Sequence, residues 1–180
     1  PSKLTYIGAS AFQESGLTSI TIPANVTQMA SNYGAFEGCT SLKTATINAS
    51  VKELPSNLFK DCTALTTVKF SSNSPITKFK ESTFEGCTSL TSVTLKLTGI
   101  SASCFKDCTS LKNITIPDSV ESLNMWSFEG CTSLVTISLP YNVKKVDRYA
   151  FADCSALRNI YFTKSIQEIE DWAFYGNTSK

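Results

Sequence analysis

A phenylalanine returns along this chain with the regularity of a ruler. It stands at Phe12, Phe36, Phe59, Phe84, Phe105, Phe128, Phe151 and Phe174, at successive spacings of 24, 23, 25, 21, 23, 23 and 23 residues. A fixed period in the twenties is the signature of a solenoid, in which each repeat is one coil and neighbouring coils stack. The words inside the repeat agree. FEGCTSL occurs at 36–42, 84–90 and 128–134, and FKDCT at 59–63 and 105–109. Cysteine follows phenylalanine by three positions in six repeats, and leucine by six (Leu42, Leu65, Leu90, Leu111, Leu134, Leu157), with Leu17 one residue early in the first.

Counted from that leucine, apolar residues recur at +3 and +5, as in Ile114/Ile116, Ile137/Leu139 and Ile160/Phe162, with polar residues between them. This alternation predicts a half-buried strand opening each unit. Proline marks the following turn at Pro23, Pro117 and Pro140, and a second apolar pair (Val120/Leu123, Val143/Val146, Ile166/Ile169) leads to the next phenylalanine. One unit cannot bury its own apolar side. Stacking must turn leucine, isoleucine, valine and phenylalanine into continuous interior columns.

The residue two after each phenylalanine alternates strictly through Gly38, Asp61, Gly86, Asp107, Gly130, Asp153 and Gly176. Both types tolerate positive φ, which predicts a left-handed turn there. Glu37, Lys60, Glu85, Lys106 and Glu129 put opposite charges on successive coils. Exposed pairs of this kind contribute about 0–1 kcal/mol each and so serve register more than stability. The two-coil period suggests growth by duplication of pairs.

The run Leu134-x-x-Ile137-x-Leu139-Pro140, then Asn142-Val143, then Ala150-Phe151-x-x-Cys154 resembles the BspA-type leucine-rich repeat, and the resemblance covers nearly the whole chain. It implies a curved leucine-rich-repeat solenoid, a β-rich horseshoe of seven to eight repeats of about 23 residues with a parallel sheet on its concave face. The convex side would carry short strands, turns and brief helical pieces. It also implies that Asn25, Ser50, Ser119, Asn142 and Ser165, eight after the leucine, bond to backbone between coils. Family members are surface or secreted proteins implicated in adhesion to host or neighbouring-cell proteins. Residues 1–180 are read as one such domain and, beginning with Pro1 and showing no polar capping unit, as a fragment of a longer repeat array. Uncapped ends also give an expectation of end-to-end self-association. Three places depart from the pattern: 71–74 adds two residues, Leu97 arrives two early, and 31–34 is an insertion.

Composition narrows the function. Sixteen basic against 15 acidic residues give no net field for nucleic acid or an anionic membrane. The longest apolar runs fall far short of the roughly 20 residues a membrane helix needs. Histidine is absent, which removes the commonest general base and metal ligand, and no phosphate loop or carboxylate pair stands out, so no enzyme, metal or cofactor is expected. Seven cysteines, one per coil apart from Cys104, predict a line of reduced buried thiols. Equivalent side chains on stacked coils point the same way and make neither a tetrahedral site nor a disulfide. Four glycosylation sequons (Asn25, Asn48, Asn113, Asn177) are near what chance supplies in a chain about a quarter serine and threonine.

Outward strand residues form two rows. One is Ser19, Thr44, Thr67, Ser92, Asn113, Thr136 and Asn159; the other is Thr21, Thr46, Lys69, Thr94, Thr115, Ser138 and Tyr161. Such a face is either solvated strand surface or a broad contact surface for protein or glycan. Lys69, Asn113, Asn159 and Tyr161 break the threonine rows that ice binding would need. Two before the phenylalanine, earlier coils carry Ser10, Asn57, Ser82 and Ser103, whereas the last three carry Trp126, Tyr149 and Trp172, which predicts an aromatic stripe with Arg148 and Arg158 in the same region. The stripe reads either as cover for a core edge or as an anchor for a partner. The candidate partner-binding set is Trp126, Tyr149, Trp172, Asn113, Thr136, Asn159, Tyr161 and Arg158. The expected role is non-catalytic binding of a protein, from a host or neighbouring cell, or of a glycan. The rival is a structural spacer in a longer surface protein.

Overall fold

The computed structural model describes residues 3–93 and 97–178. The chain winds as a stacked series of β-coils, about seven turns of some 23 residues, and every strand pairing among the described residues is parallel. Each coil is named below by its marker phenylalanine. Before the marker lie short strands: β1 (Tyr6–Ile7), β3 (Gln28–Met29), β5 (Glu53–Leu54), β7 (Lys78–Phe79), β8 (Gly99–Ile100), β9 (Ser122–Leu123), β11 (Lys145–Val146) and β13 (Glu168–Ile169). After it come β2 (Ser19–Ile22), β4 (Thr44–Ile47), β6 (Thr67–Phe70), β10 (Thr136–Ser138) and β12 (Asn159–Tyr161).

The expected first-strand sheet is present in two segments, β2-β4-β6 and β10-β12. In the Phe105 coil, residues 112–116 form no strand, so Asn113 is exposed without being a sheet residue. Thr94, one of the outward row, lies outside the described residues. The strands preceding the phenylalanines form the longer sheet, β5-β7-β8-β9-β11-β13 in neighbour order, with β1-β3 as a separate pair. The third side of each coil is made of turns. No helix occurs among the described residues, so the brief helical pieces expected on that side are replaced by turns. The reason is local: the Phe-x-x-Cys segments from Phe36 to Phe128 close with i to i+3 backbone bonds, such as Cys62 N–H to Phe59 O at 3.1 Å and Leu65 N–H to Cys62 O at 3.0 Å. The left-handed residue between them stops the turn from propagating.

All eight marker rings stack in one column, with centroids 5.1–5.7 Å apart and interplanar angles of 3–15°. Such aromatic pairs contribute about 0.5–1.5 kcal/mol beyond their burial. Beside them runs the thiol column. Cys39, Cys62, Cys87, Cys108, Cys131 and Cys154 each donate S–H to the carbonyl of the preceding coil's phenylalanine, at 3.0–3.2 Å. All seven cysteines are buried and free, Cys104 among them. Burial pushes the Cys62 thiol up to about 12 and raises Cys87, Cys104, Cys108 and Cys131 well above the ordinary value, neighbouring thiols adding to the rise for Cys87, Cys104 and Cys131. They are inert filling for a repeated slot.

The polar position eight after the leucine works as the resemblance implied. Ser50 donates to Ala24 O at 2.8 Å, Asn142 to Asp118 O at 2.7 Å, Ser165 to Val143 O at 3.4 Å, and Ser119 to Leu97 O, each reaching the preceding coil. The extra residues at 71–74 are absorbed by Phe70 and Phe79, whose rings lie 5.7 Å apart, with Phe79 packed edge-on to Phe84 at 5.3 Å.

Candidate functional site

The Asp/Gly position has positive φ throughout, from 54° at Asp153 to 73° at Gly176. Sequence reasoning missed a second left-handed position. The residue two before the phenylalanine also has φ of 52–58°, at Ser10, Asn57, Ser82, Ser103, Trp126, Tyr149 and Trp172. The backbone is held there by turn bonds (Lys60 N–H to Asn57 O, 3.0 Å; Glu129 N–H to Trp126 O, 3.2 Å). Bonds to the next coil add to this, as from Ser103 to Met125 O at 3.0 Å and from Trp126 to Arg148 O at 3.2 Å. Asparagine enters this region at small cost, and serine, short and unbranched, more readily than an aromatic side chain. For a tryptophan or tyrosine it is a genuine outlier, disfavoured by roughly 1–2 kcal/mol. The signal was in the sequence: four small polar residues at one repeat position are what a left-handed turn selects.

Three consecutive coils therefore hold bulky rings where the backbone disfavours them. The rings form a ladder: Trp126 and Tyr149 stack at 6.4 Å and 20°, Tyr149 and Trp172 at 5.4 Å and 15°. Trp126 is 38% exposed and Trp172 53%, with Tyr149 half-buried between them. Lys106 Nζ stands 5.8 Å from the Trp126 ring on the side away from Tyr149's coil. A charged border runs alongside. Arg148 Nη2 meets Asp171 at 3.3 Å, and Lys145 Nζ meets Glu170 at 2.8 Å and Glu168 at 3.5 Å. The hydrogen bond to Lys145 holds the Glu170 carboxyl below its ordinary value, and that to Glu129 raises Lys106.

The remaining candidates occupy a different side of the coil. Thr136 is opposite Asn159, and Ser138 opposite Tyr161, in the β10-β12 register. Arg158 directly precedes β12 and is exposed, so it belongs with Asn159 and Tyr161 and not with the ladder; Arg148 is the arginine beside the rings. Val135, Tyr141, Tyr161 and Phe162 are exposed in these coils, the Phe162 ring lying edge-on to Phe174. The earlier sheet β2-β4-β6 presents Ser19, Thr21, Thr44, Thr46, Thr67 and Lys69 instead.

Two concavities flank the irregular coils. One of about 380 Å³ is lined by Val68, Phe70, Ile76, Phe79 and Leu97 beside the 71–74 insertion. The other, about 580 Å³, lies where β3 and β5 do not pair with each other, near Tyr6 and Lys80. Among the described residues no three of His, Cys, Asp and Glu converge as a metal site, and no helix is long and apolar enough to cross a membrane.

The sequence profile of the BspA type leucine rich repeat region matches in six copies, over residues 1–108 and 98–180. Solved structures agree. A leucine rich cell surface protein of Faecalibacterium prausnitzii is 34% identical and superposes with a TM-score of 0.75, over 87% of this chain and 42% of that one. A leucine-rich repeat protein of Bacteroides ovatus is 24% identical, with a TM-score of 0.56 over 96% and 62% of the two chains. The T. pallidum leucine rich repeat protein shares the fold at a TM-score of 0.80, with 22% identity over 94% and 82%. No curated protein matches. The chain spans less than two thirds of the first two of these relatives.

Proposed function

Because the chain belongs to the BspA-type leucine-rich repeat family, we propose that it is a non-catalytic binding module of a cell-surface or secreted protein, taking a protein ligand on its last three coils. Arrays of this family and fold are typically non-catalytic. The observation that carries the reading is the ladder of Trp126, Tyr149 and Trp172, three stacked rings, the outer two exposed, held in a backbone conformation that disfavours them. Strain of this kind persists where surrounding structure over-determines it and clusters at ligand clamps. Tryptophan, tyrosine and arginine are also the residues enriched at interface hot spots, which supports a protein ligand. Tyr149 is stacked on both faces and each tryptophan on one, leaving ring edges, indole N–H groups and the tyrosine hydroxyl for the partner. Asn159, Tyr161 and Arg158, with Thr136 and Asn113, offer a second contact area on the first-strand side. The surface location is supported by the F. prausnitzii relative, described as a cell surface protein.

The test is capture of surface proteins from host or neighbouring cells by the immobilised chain, beside the variant Trp126→Ser/Tyr149→Ser/Trp172→Ser. Partners retained by the wild type and lost by a folded variant support the reading. A partner set unchanged by the triple substitution removes the ladder as the binding site and favours the spacer role.

A further inference from the structure

We propose that the building block of this array is a pair of coils, an acid-bearing coil followed by a glycine-bearing one, and that the seam inside a pair differs from the seam between pairs. The side chains show a direction. In each aspartate coil the carboxylate of the left-handed residue lies over the backbone of the glycine in the next coil. A Cβ added at Gly86 would stand 2.2 Å from Asp61 Oδ1, at Gly130 2.2 Å from Asp107 Oδ1, and at Gly176 2.0 Å from Asp153 Oδ1. In the first acid coil it is a methylene that approaches the glycine, Glu14 Cγ lying 3.0 Å from a Cβ placed at Gly38. Ion pairs follow the same direction: Lys60 reaches Glu85 at 3.2 Å and Lys106 reaches Glu129 at 2.8 Å. Across the opposite seams the leading coil offers only glycine, and among the described residues neither Glu37 with Lys60 nor Glu85 with Lys106 forms an ion pair.

Backbone bonding does not make this distinction. Gly38 N–H donates to Lys60 O at 2.8 Å across a seam between pairs, and Asp61 N–H to Glu85 O at 2.8 Å inside one. The asymmetry therefore lives in the side chains, where one coil's carboxylate fills the space its follower leaves by being glycine. Its consequence is a parity rule. Removing a glycine coil such as that of Gly86 would set Asp61 on Asp107 and Lys60 beside Lys106, and removing an acid coil such as that of Asp107 would set Gly86 on Gly130 with the space unfilled and Glu85 beside Glu129, whereas removing a pair restores acid on glycine. The array lengthens and shortens by pairs.

The experiment is a thermal-unfolding cycle on the full chain with Gly86→Ala alone, in an Asp61→Gly background and in an Asp107→Gly background. Gly86 has φ of 70°, so some loss persists in every background. The expected result is a fall in Tm that shrinks to half or less when Asp61 is glycine and keeps its full size when Asp107 is glycine. A chain that folds only after Asp61 is removed is the extreme form of that result. Equal losses in all three backgrounds, or relief from Asp107→Gly as large as from Asp61→Gly, would overturn the pair as the unit.

Discussion

The coils of Phe12 to Phe105 and those of Phe128 to Phe174 are the same molecule inside and different molecules outside. Ring spacings in the phenylalanine column are 5.1–5.7 Å in the first region and 5.2–5.4 Å in the second, and the thiol-to-carbonyl bonds run unbroken across the boundary. At the position two before the phenylalanine, the first region has left-handed serine and asparagine, with Gly34 in the Phe36 coil outside the left-handed region, and the second has left-handed Trp126, Tyr149 and Trp172. A solenoid can hold its interior constant and vary its surface coil by coil, because each coil contacts only its neighbours. Function is then to be sought where the surface departs from the repeat without the core responding.

The largest effect is expected at alkaline pH and tests whether the interior is one. Thiols exposed by unfolding ionise near 9.0, whereas buried Cys62 keeps its proton to about 12. The unfolded chain therefore binds fewer protons than the folded one in this window. Stability is intact below pH 8 and falls as pH climbs from 9 towards 12, by roughly 1 kcal/mol per pH unit for each such thiol. Tryptophan fluorescence, which reports only the second region, and circular dichroism, which reports both, should show coincident transitions. Transitions separated by more than half a pH unit would divide the interior in two.

Next in size are the rings of the column. Phe59→Ala and Phe151→Ala should each cost about 3–5 kcal/mol in urea unfolding, because each removes a fully buried ring stacked on both sides. A clear difference between the two would break the equivalence of the regions. The surface exchange comes third. Replacing Trp126, Tyr149 and Trp172 by serine should change stability by no more than about 1 kcal/mol, since relief of the left-handed conformation offsets the lost ring contacts. The converse variants Asn57→Trp and Ser82→Trp should each lose about 1–2 kcal/mol, measured in the same unfolding assay. Smallest is the lysine contrast. Lys106→Ala should cost a few tenths of a kcal/mol more than Lys60→Ala, because only Lys106 adds a tryptophan face to its glutamate.

Much of this fold was legible because repetition multiplies weak signals. The phenylalanine, cysteine and leucine offsets gave coil, column and strand together, and the alternation of Gly38, Asp61 and Gly86 gave the left-handed turn. What stayed hidden were relations between coils. The Asp61 carboxylate over Gly86 depends on the direction a side chain takes across a seam, which spacing along one chain does not encode. The loss of strand at 112–116 was equally unreadable, since Ile114 and Ile116 keep the alternation that elsewhere makes one. The ladder itself was visible as a stripe of aromatics; that its backbone is left-handed could have been inferred from Asn57, Ser82 and Ser103, the tolerant residues holding the same place. Arg158 is near the rings in sequence only, because the winding of the coil carries it to another side.

Thiol reactivity tests a single continuous interior most directly, because the buried sulfurs are spread from Cys39 to Cys154. Labelling the native protein at neutral pH with a small thiol reagent, followed by mass measurement before and after denaturation, should find no cysteine modified at the rate of an unfolded chain and all seven modified once unfolded. Rapid labelling of any sulfur in the folded protein, or fewer than seven available in denaturant without reductant, would contradict it.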